Sequence, residues 1–215
     1  MARSPTRIKI CGIRDEESAF AAADAGANAI GLVFYPQSPR FIEPVEAWEI
    51  VGMLPPFVAS VGLFVNADIE RFMLIEEECP TDLSQLHGQE KEDLVRQCGP
   101  NVIKAVRFDP TTIQAELDRW NKIEEVDAIL VDGSIGGQGT SFDWSALVAA
   151  KDRLAKPLIL AGGLTPENVG EAIRVVQPFA VDVSSGVESA PGVKDPALIE
   201  AFCRAVRRAD MELES

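Results

Sequence analysis

Leu158-Ile159-Leu160-Ala161-Gly162-Gly163-Leu164-Thr165-Pro166-Glu167 contains the repeating unit of this chain. Its apolar run has no polar alternation, as expected of a strand buried on both faces. Two glycines end the run. Thr165, Pro166 and Glu167 then supply a helix cap, a first-turn proline and an acidic group near the positive end of the helix dipole. The stretch therefore reads as strand, tight turn, helix, and predicts a helix over Pro166–Val176.

The same order of events recurs in both directions. Short apolar runs occupy Arg7–Ile10, Ala29–Val33, Val58–Leu63, Leu83–Leu86, Val102–Val106, Ala128–Val131, Leu158–Ala161 and Phe179–Val183. The run within TDLSQLHG has the weakest pattern. Helical stretches separate them: Glu16–Ala25 before Gly26, Pro44–Met53, Asp68 to about Glu78, Glu90–Cys98 before Gly99-Pro100, Thr112–Lys122, Asp143–Leu154 and Asp195–Ala209. Met211–Ser215 is expected to fray. Eight strand–helix units with no internal linker imply a parallel sheet. In one α/β domain covering residues 1–215, that number favours a closed (β/α)8 TIM barrel over an open, doubly wound sheet.

Composition narrows the function. With 215 residues, 47% hydrophobic, the chain is long enough to bury a core without staples. Thirty-four acidic residues against 20 basic give a net charge of −14, which argues against nucleic acid or an anionic membrane as partner. A small anionic substrate stays compatible, because single loops can be electropositive on an acidic protein. Cys11, Cys79, Cys98 and Cys203 show no paired spacing and His87 is the only histidine, so neither structural zinc nor a disulfide framework is expected. Met1–Arg7 has no apolar leader core, and no run approaches the ~20 residues of a membrane span. The expectation is a cytoplasmic protein, with a monomer and a homodimer both compatible.

Barrel active sites lie at the C-terminal ends of the strands. The residues just after the runs are Cys11-Gly12, the loop Tyr35–Phe41, Asn66, His87-Gly88, Arg107, Asp132-Gly133, Gly162-Gly163 and Ser184-Ser185-Gly186. Gly162, Gly163, Ser184, Ser185 and Gly186 follow the seventh and eighth runs, where many barrels bind phosphate. Glycines let backbone N–H groups approach an anion, and serine hydroxyls add donors. Either loop alone could be a simple turn; together they point to a phosphate site.

Cys11 and Asp132 are the catalytic candidates. A free cysteine is usually a small buried hydrophobe, which suits Cys79, Cys98 and Cys203, but the first strand should deliver Cys11 to the barrel mouth. Asp132 ends a buried apolar run, where a carboxylate is costly without a partner or a task. It precedes the next helix by about ten residues, so it is no obvious cap. The Gly-rich stretch Gly133–Ser141 between them is expected to form a lid. Lys9 is expected on the opposite side of the pleat from Cys11 and is given no role.

The segments KICGI (9–13), SPR (38–40), VGLFVN (61–66), QLHG (85–88), LVD (130–132), GGQG (136–139) with FDW (142–144), LAGGL (160–164) and DVSSGVE (182–188) resemble, in order and over nearly the whole chain, the motifs of the phosphoribosylanthranilate isomerase family. GGQG departs from the commoner GGTG. The resemblance implies an Amadori rearrangement of an aminoaldose to an aminoketose in tryptophan biosynthesis, with no cofactor and no metal. It matches the family's catalytic thiol to Cys11, its catalytic carboxyl to Asp132, and the arginine that holds the anthranilate carboxylate to Arg40. Arg107 is expected to face the substrate. His87 reads as a substrate-binding residue or as a structural group at its strand end. Asp182 is expected to bond the sugar hydroxyls or to orient the Ser184–Gly186 loop. Another phosphosugar barrel enzyme, or a non-catalytic ligand-binding member, would share the phosphate loops. The single histidine disfavours metal-dependent epimerases, and intact Cys11 and Asp132 disfavour a retired site.

Overall fold

The computed structural model describes residues 4–133, 144–151 and 153–214. Strands β1 (Arg7–Cys11), β2 (Ala29–Val33), β3 (Ala59–Phe64), β4 (Leu83–Leu86), β5 (Val102–Arg107), β6 (Val126–Asp132), β7 (Leu158–Ala161) and β8 (Ala180–Val183) pair in chain order into a closed barrel. Every pairing is parallel, and β8 returns to β1 with Lys9 opposite Asp182. Helices α1 (Glu16–Asp24), α2 (Pro44–Met53), α3 (Ile69–Glu78), α4 (Glu92–Cys98), α5 (Ile113–Trp120), α6 (Trp144–Lys151), α7 (Val169–Val176) and α8 (Pro196–Glu214) alternate with the strands. A short antiparallel hairpin, β9 (Glu188–Ala190) and β10 (Val193–Lys194), follows β8. The chain thus forms the predicted (β/α)8 barrel, and the weakly patterned Leu83–Leu86 is a full barrel strand.

Strand periodicity sorts the side chains into two layers. One set, including Ile8, Ile10, Ile30, Leu32, Phe64, Leu86 and Val131, packs outward against the helices. The alternate set, including Val61, Ile103, Ala105, Leu130, Ile159 and Ala161, fills the barrel. Near the mouth Cys11 packs with Val33 and Leu63. Burying a residue of leucine size contributes roughly 1.5–3 kcal/mol, so two such layers can hold a few costly charged groups in place.

Several helix bounds differ from the sequence reading by one to five residues, and two of the differences have a clear cause. Helix α7 begins at Val169 rather than Pro166. Asn168 accepts from Thr165 N at 2.8 Å and donates to the Gly163 carbonyl at 2.8 Å, which ties Thr165–Asn168 into a turn outside the helix. Helix α8 continues to Glu214 instead of fraying after residue 210. Its buried Asp210 accepts from Thr6 N at 2.8 Å and Thr6 Oγ1 at 2.6 Å, joining the end of the chain to its start. The expected lid over Gly133–Ser141, with its GGQG segment, lies outside the described residues after Gly133.

Candidate active site

Cys11, Arg40, His87, Arg107, Asp132, Gly162, Gly163, Asp182, Ser184 and Ser185 all line one cavity of about 1470 Å³ at the C-terminal ends of the strands. Gly186 stands behind its wall. A Cβ there would lie 1.9 Å from the Leu164 carbonyl oxygen, so its missing side chain lets the turns after β7 and β8 touch.

On the β1 side, Cys11 is only 4% exposed. Lys9 does not point away from it. Residues two apart on a strand share a face: the Lys9 ammonium donates to Asp182 at 2.9 Å and lies beside the Cys11 thiol, whose charged form it favours. Gly31 lies opposite Cys11 on β2; a Cβ there would stand 2.7 Å from Sγ and 3.0 Å from the Lys9 ammonium. Only glycine leaves that contact room. Burial pushes the Cys11 thiol above its ordinary range, while Lys9 and Lys194 pull it back and Asp182 adds to the rise. Burial opposes the charge on Lys9, but Asp182 and then Cys11 outweigh it and hold the ammonium above its usual range. Lys9 is therefore held as a cation beside the thiol, with Asp182 as its paired counter-charge. The other cysteines are buried too, with Cys79, Cys98 and Cys203 each pushed up by burial to about 11.

On the β6 side, Asp132 Oδ2 lies 3.2 Å from His87 Nε2. Gln85 Nε2 lies 2.9 Å from His87 Nδ1. A Gln85 amide that donates to Nδ1 puts the proton of a neutral ring on Nε2, facing the carboxylate. Arg107 stands opposite Asp132 in the β5–β6 pairing. Beneath them, buried Lys104 donates to Glu90 at 2.8 Å and to the Leu86, Gly88 and Ala105 carbonyls. Glu90 also accepts from the backbone of Asn66 and Gly88, so this pair fixes the loops after β3 and β4. Lys104 and Glu90 carried no sequence signal beyond their type, since their partners are set by the barrel closure.

Arg40 is placed by two local devices. Its N–H donates to Ser38 Oγ at 3.1 Å. Its aliphatic stem packs over Gly12, where φ is +84° and a Cβ would lie 2.7 Å from Arg40 Cδ. Its Nε and Nη2 donate to the two carboxylate oxygens of Glu188 at 2.7 and 2.8 Å. Lys194 donates to Glu188 at 2.8 Å and to the Ser184 carbonyl at 3.0 Å. The Arg40 bonds come first in holding the guanidinium above its usual range. Sequence reasoning quoted Glu188 within a motif but gave it no role, and missed Lys194. In the same cavity, the turn after β7 has Gly162 at φ +92° and Gly163 at φ +65°, conformations that favour glycine.

A family model described as N-(5'phosphoribosyl)anthranilate (PRA) isomerase matches residues 8–205. The N-(5'-phosphoribosyl)anthranilate isomerase of Magnetococcus marinus is 49% identical over 207 residues, 94% of this chain and 96% of the relative. The crystal structure of phosphoribosyl anthranilate isomerase from Thermotoga maritima superposes with a TM-score of 0.84 at 42% identity, covering 94% of this chain and 99% of that one. A phosphoribosyl anthranilate isomerase in complex with reduced 1-(o-carboxyphenylamino)-1-deoxyribulose 5-phosphate gives 0.83 at 42% identity, with the same coverage. The chain belongs to the N-(5'-phosphoribosyl)anthranilate isomerase family.

Proposed function

We propose that the chain isomerises N-(5-phosphoribosyl)anthranilate to 1-(2-carboxyphenylamino)-1-deoxyribulose 5-phosphate, with Asp132 as general acid and Cys11 as general base. One observation carries the reading: a thiol from β1 and a carboxyl from β6 face one cavity whose rim also holds the glycine and serine turns after β7 and β8. In the first step Asp132 gives a proton to the furanose oxygen as the C1–O bond breaks, leaving an iminium. His87 Nε2–H then bonds the carboxylate that Asp132 has become. In the second step a Cys11 thiolate removes the C2 proton, which the iminium has acidified, and the enamine so formed passes to the ketone. Burial opposes the thiolate while the Lys9 and Lys194 cations favour it. The iminium adds a further positive charge at the moment the base is needed.

The phosphate takes the turns holding Gly162, Gly163, Ser184 and Ser185, with Gly186 keeping those turns together. The anthranilate carboxylate takes Arg40. Asp182, held by Lys9, meets the sugar hydroxyls, and Arg107 faces the substrate beside Asp132. Among the described residues no helix is long and apolar enough to cross a membrane. The reading places the enzyme in the cytoplasm, acting on a diffusible phosphorylated small molecule as a monomer or homodimer. The test is the loss of anthranilate fluorescence when the protein is added to freshly prepared phosphoribosylanthranilate. A trace that matches the enzyme-free decay would overturn the function.

A further inference from the structure

Glu188 is used in none of these steps, yet it accepts from Arg40, Lys194 and the backbone of Gly192. Its side chain is 4% exposed and pairs with two cations, Arg40 at 2.7 Å and Lys194 at 2.8 Å. Lys194, 1% exposed, would alone be a sufficient partner for a buried carboxylate. The second pairing therefore does something else. Glu188 takes the side edge of the guanidinium, Nε with Nη2. That leaves the end edge, Nη1 with the second N–H of Nη2, for a ligand in the cavity that Arg40 lines.

Lys194 continues the chain of contacts. Besides Glu188 it bonds the Ser184 carbonyl at 3.0 Å and reaches Ser184 Oγ at 3.4 Å, in the turn after β8. The hairpin that carries both residues rests on the Arg40 loop. At its tip Gly192 has φ +80°, donates to Glu188 Oε2 at 3.3 Å, and approaches so closely that a Cβ would lie 2.3 Å from the Pro39 carbonyl oxygen. An unbroken line of partly buried polar contacts thus runs Arg40–Glu188–Lys194–Ser184.

We propose that Glu188 is a positioning residue which, with Lys194, braces Arg40 against the Ser184 turn. The brace fixes the aim of the free guanidinium edge relative to the phosphate end. The site then selects substrates that carry an aryl carboxylate and a phosphate at that spacing. This rests on the reading that Arg40 takes the carboxylate.

The test compares kcat/KM for phosphoribosylanthranilate with that for the same compound lacking the carboxylate, phosphoribosylaniline. Wild type, Arg40→Ala, Glu188→Gln and Glu188→Asp are measured, and thermal melts identify the variants that fold. Glu188→Gln keeps the shape but has one oxygen acceptor in place of two. Glu188→Asp keeps the charge but is one methylene short. Each is expected to lower the preference for the carboxylated substrate at least about ten-fold, the scale of one charge-assisted hydrogen bond. Activity on phosphoribosylaniline should stay within about two-fold, and the loss should appear mainly in KM. A purely structural defect would lower both substrates together and leave the preference unchanged; that result in the folded variants overturns the proposal. If Arg40→Ala itself leaves the preference unchanged, the carboxylate reading fails and takes the brace with it. If Arg40→Ala abolishes the preference and neither Glu188 variant alters it, the carboxylate reading stands and the brace alone is overturned.

Discussion

The two halves of the barrel mouth are built on different plans. On the β1–β8 half the charges are sealed: Lys9 and Asp182 are 5% and 8% exposed, Glu188 and Lys194 4% and 1%. On the β4–β6 half the Lys104–Glu90 pair is sealed as well, at 2% and 1%, but the two groups assigned to proton transfer and its support, His87 and Asp132, are 29% and 18% exposed. The difference matches the two proton transfers assigned to them. A base that must strip a carbon acid gains from fixed cations in a dry setting, where Coulombic effects are strong. An acid that must regain its proton every turnover gains from access to water.

The contrast can be broken from either side. Cys11→Ala should produce the largest loss, at least ~10²-fold in kcat, since it removes the group assigned to take the C2 proton. Near-normal turnover in a rapid-mixing assay would remove Cys11 from the mechanism. Asp132→Asn should also cost on the order of 10²-fold while leaving product affinity within about two-fold, because the amide keeps the shape but has no acidic proton. A parallel loss of product binding by fluorescence titration would make Asp132 structural.

Proton linkage sharpens the comparison. Burial holds the Cys11 pKa above its ordinary value, so the free enzyme at neutral pH carries mostly thiol. The thiolate fraction then grows about ten-fold per pH unit, and kcat/KM should climb with pH through neutrality. Lys9→Met removes a cation that lowers the thiol and unpairs Asp182, which raises it; both move the ascending limb to higher pH. A limb that stays in place would detach Lys9 from the thiol. The smallest effect belongs to the open half. His87→Asn should reduce kcat by about ten-fold or less, the scale of the one hydrogen bond to Asp132 that is lost; a loss equal to that of Asp132→Asn would give His87 a proton of its own to move.

What could be read in advance follows the range of each interaction. Strand order and the mouth positions of Cys11 and Asp132 came from local hydrophobic runs, which even the poorly patterned β4 obeyed once its neighbours closed the barrel. Lys9 was legible and was misread: its spacing of two from Cys11 dictates a shared face. The start of α7 was obscured by Asn168, whose side chain competes with the helix for the Gly163 turn. The end of α8 could not be foreseen because Asp210 finds its partner at Thr6, across the closed chain. Glu188 was out of reach for the same reason, standing 148 positions from Arg40 in sequence.

Gly186 carries a consequence for anyone who would rebuild this enzyme. With 1.9 Å between its absent Cβ and the Leu164 oxygen, the turns after β7 and β8 are a single part with two attachment points. Swapping one of them for the corresponding turn of another barrel leaves a mismatched joint, whereas the two exchanged together travel as a cassette. Recombination libraries should therefore place no crossover between residues 164 and 186.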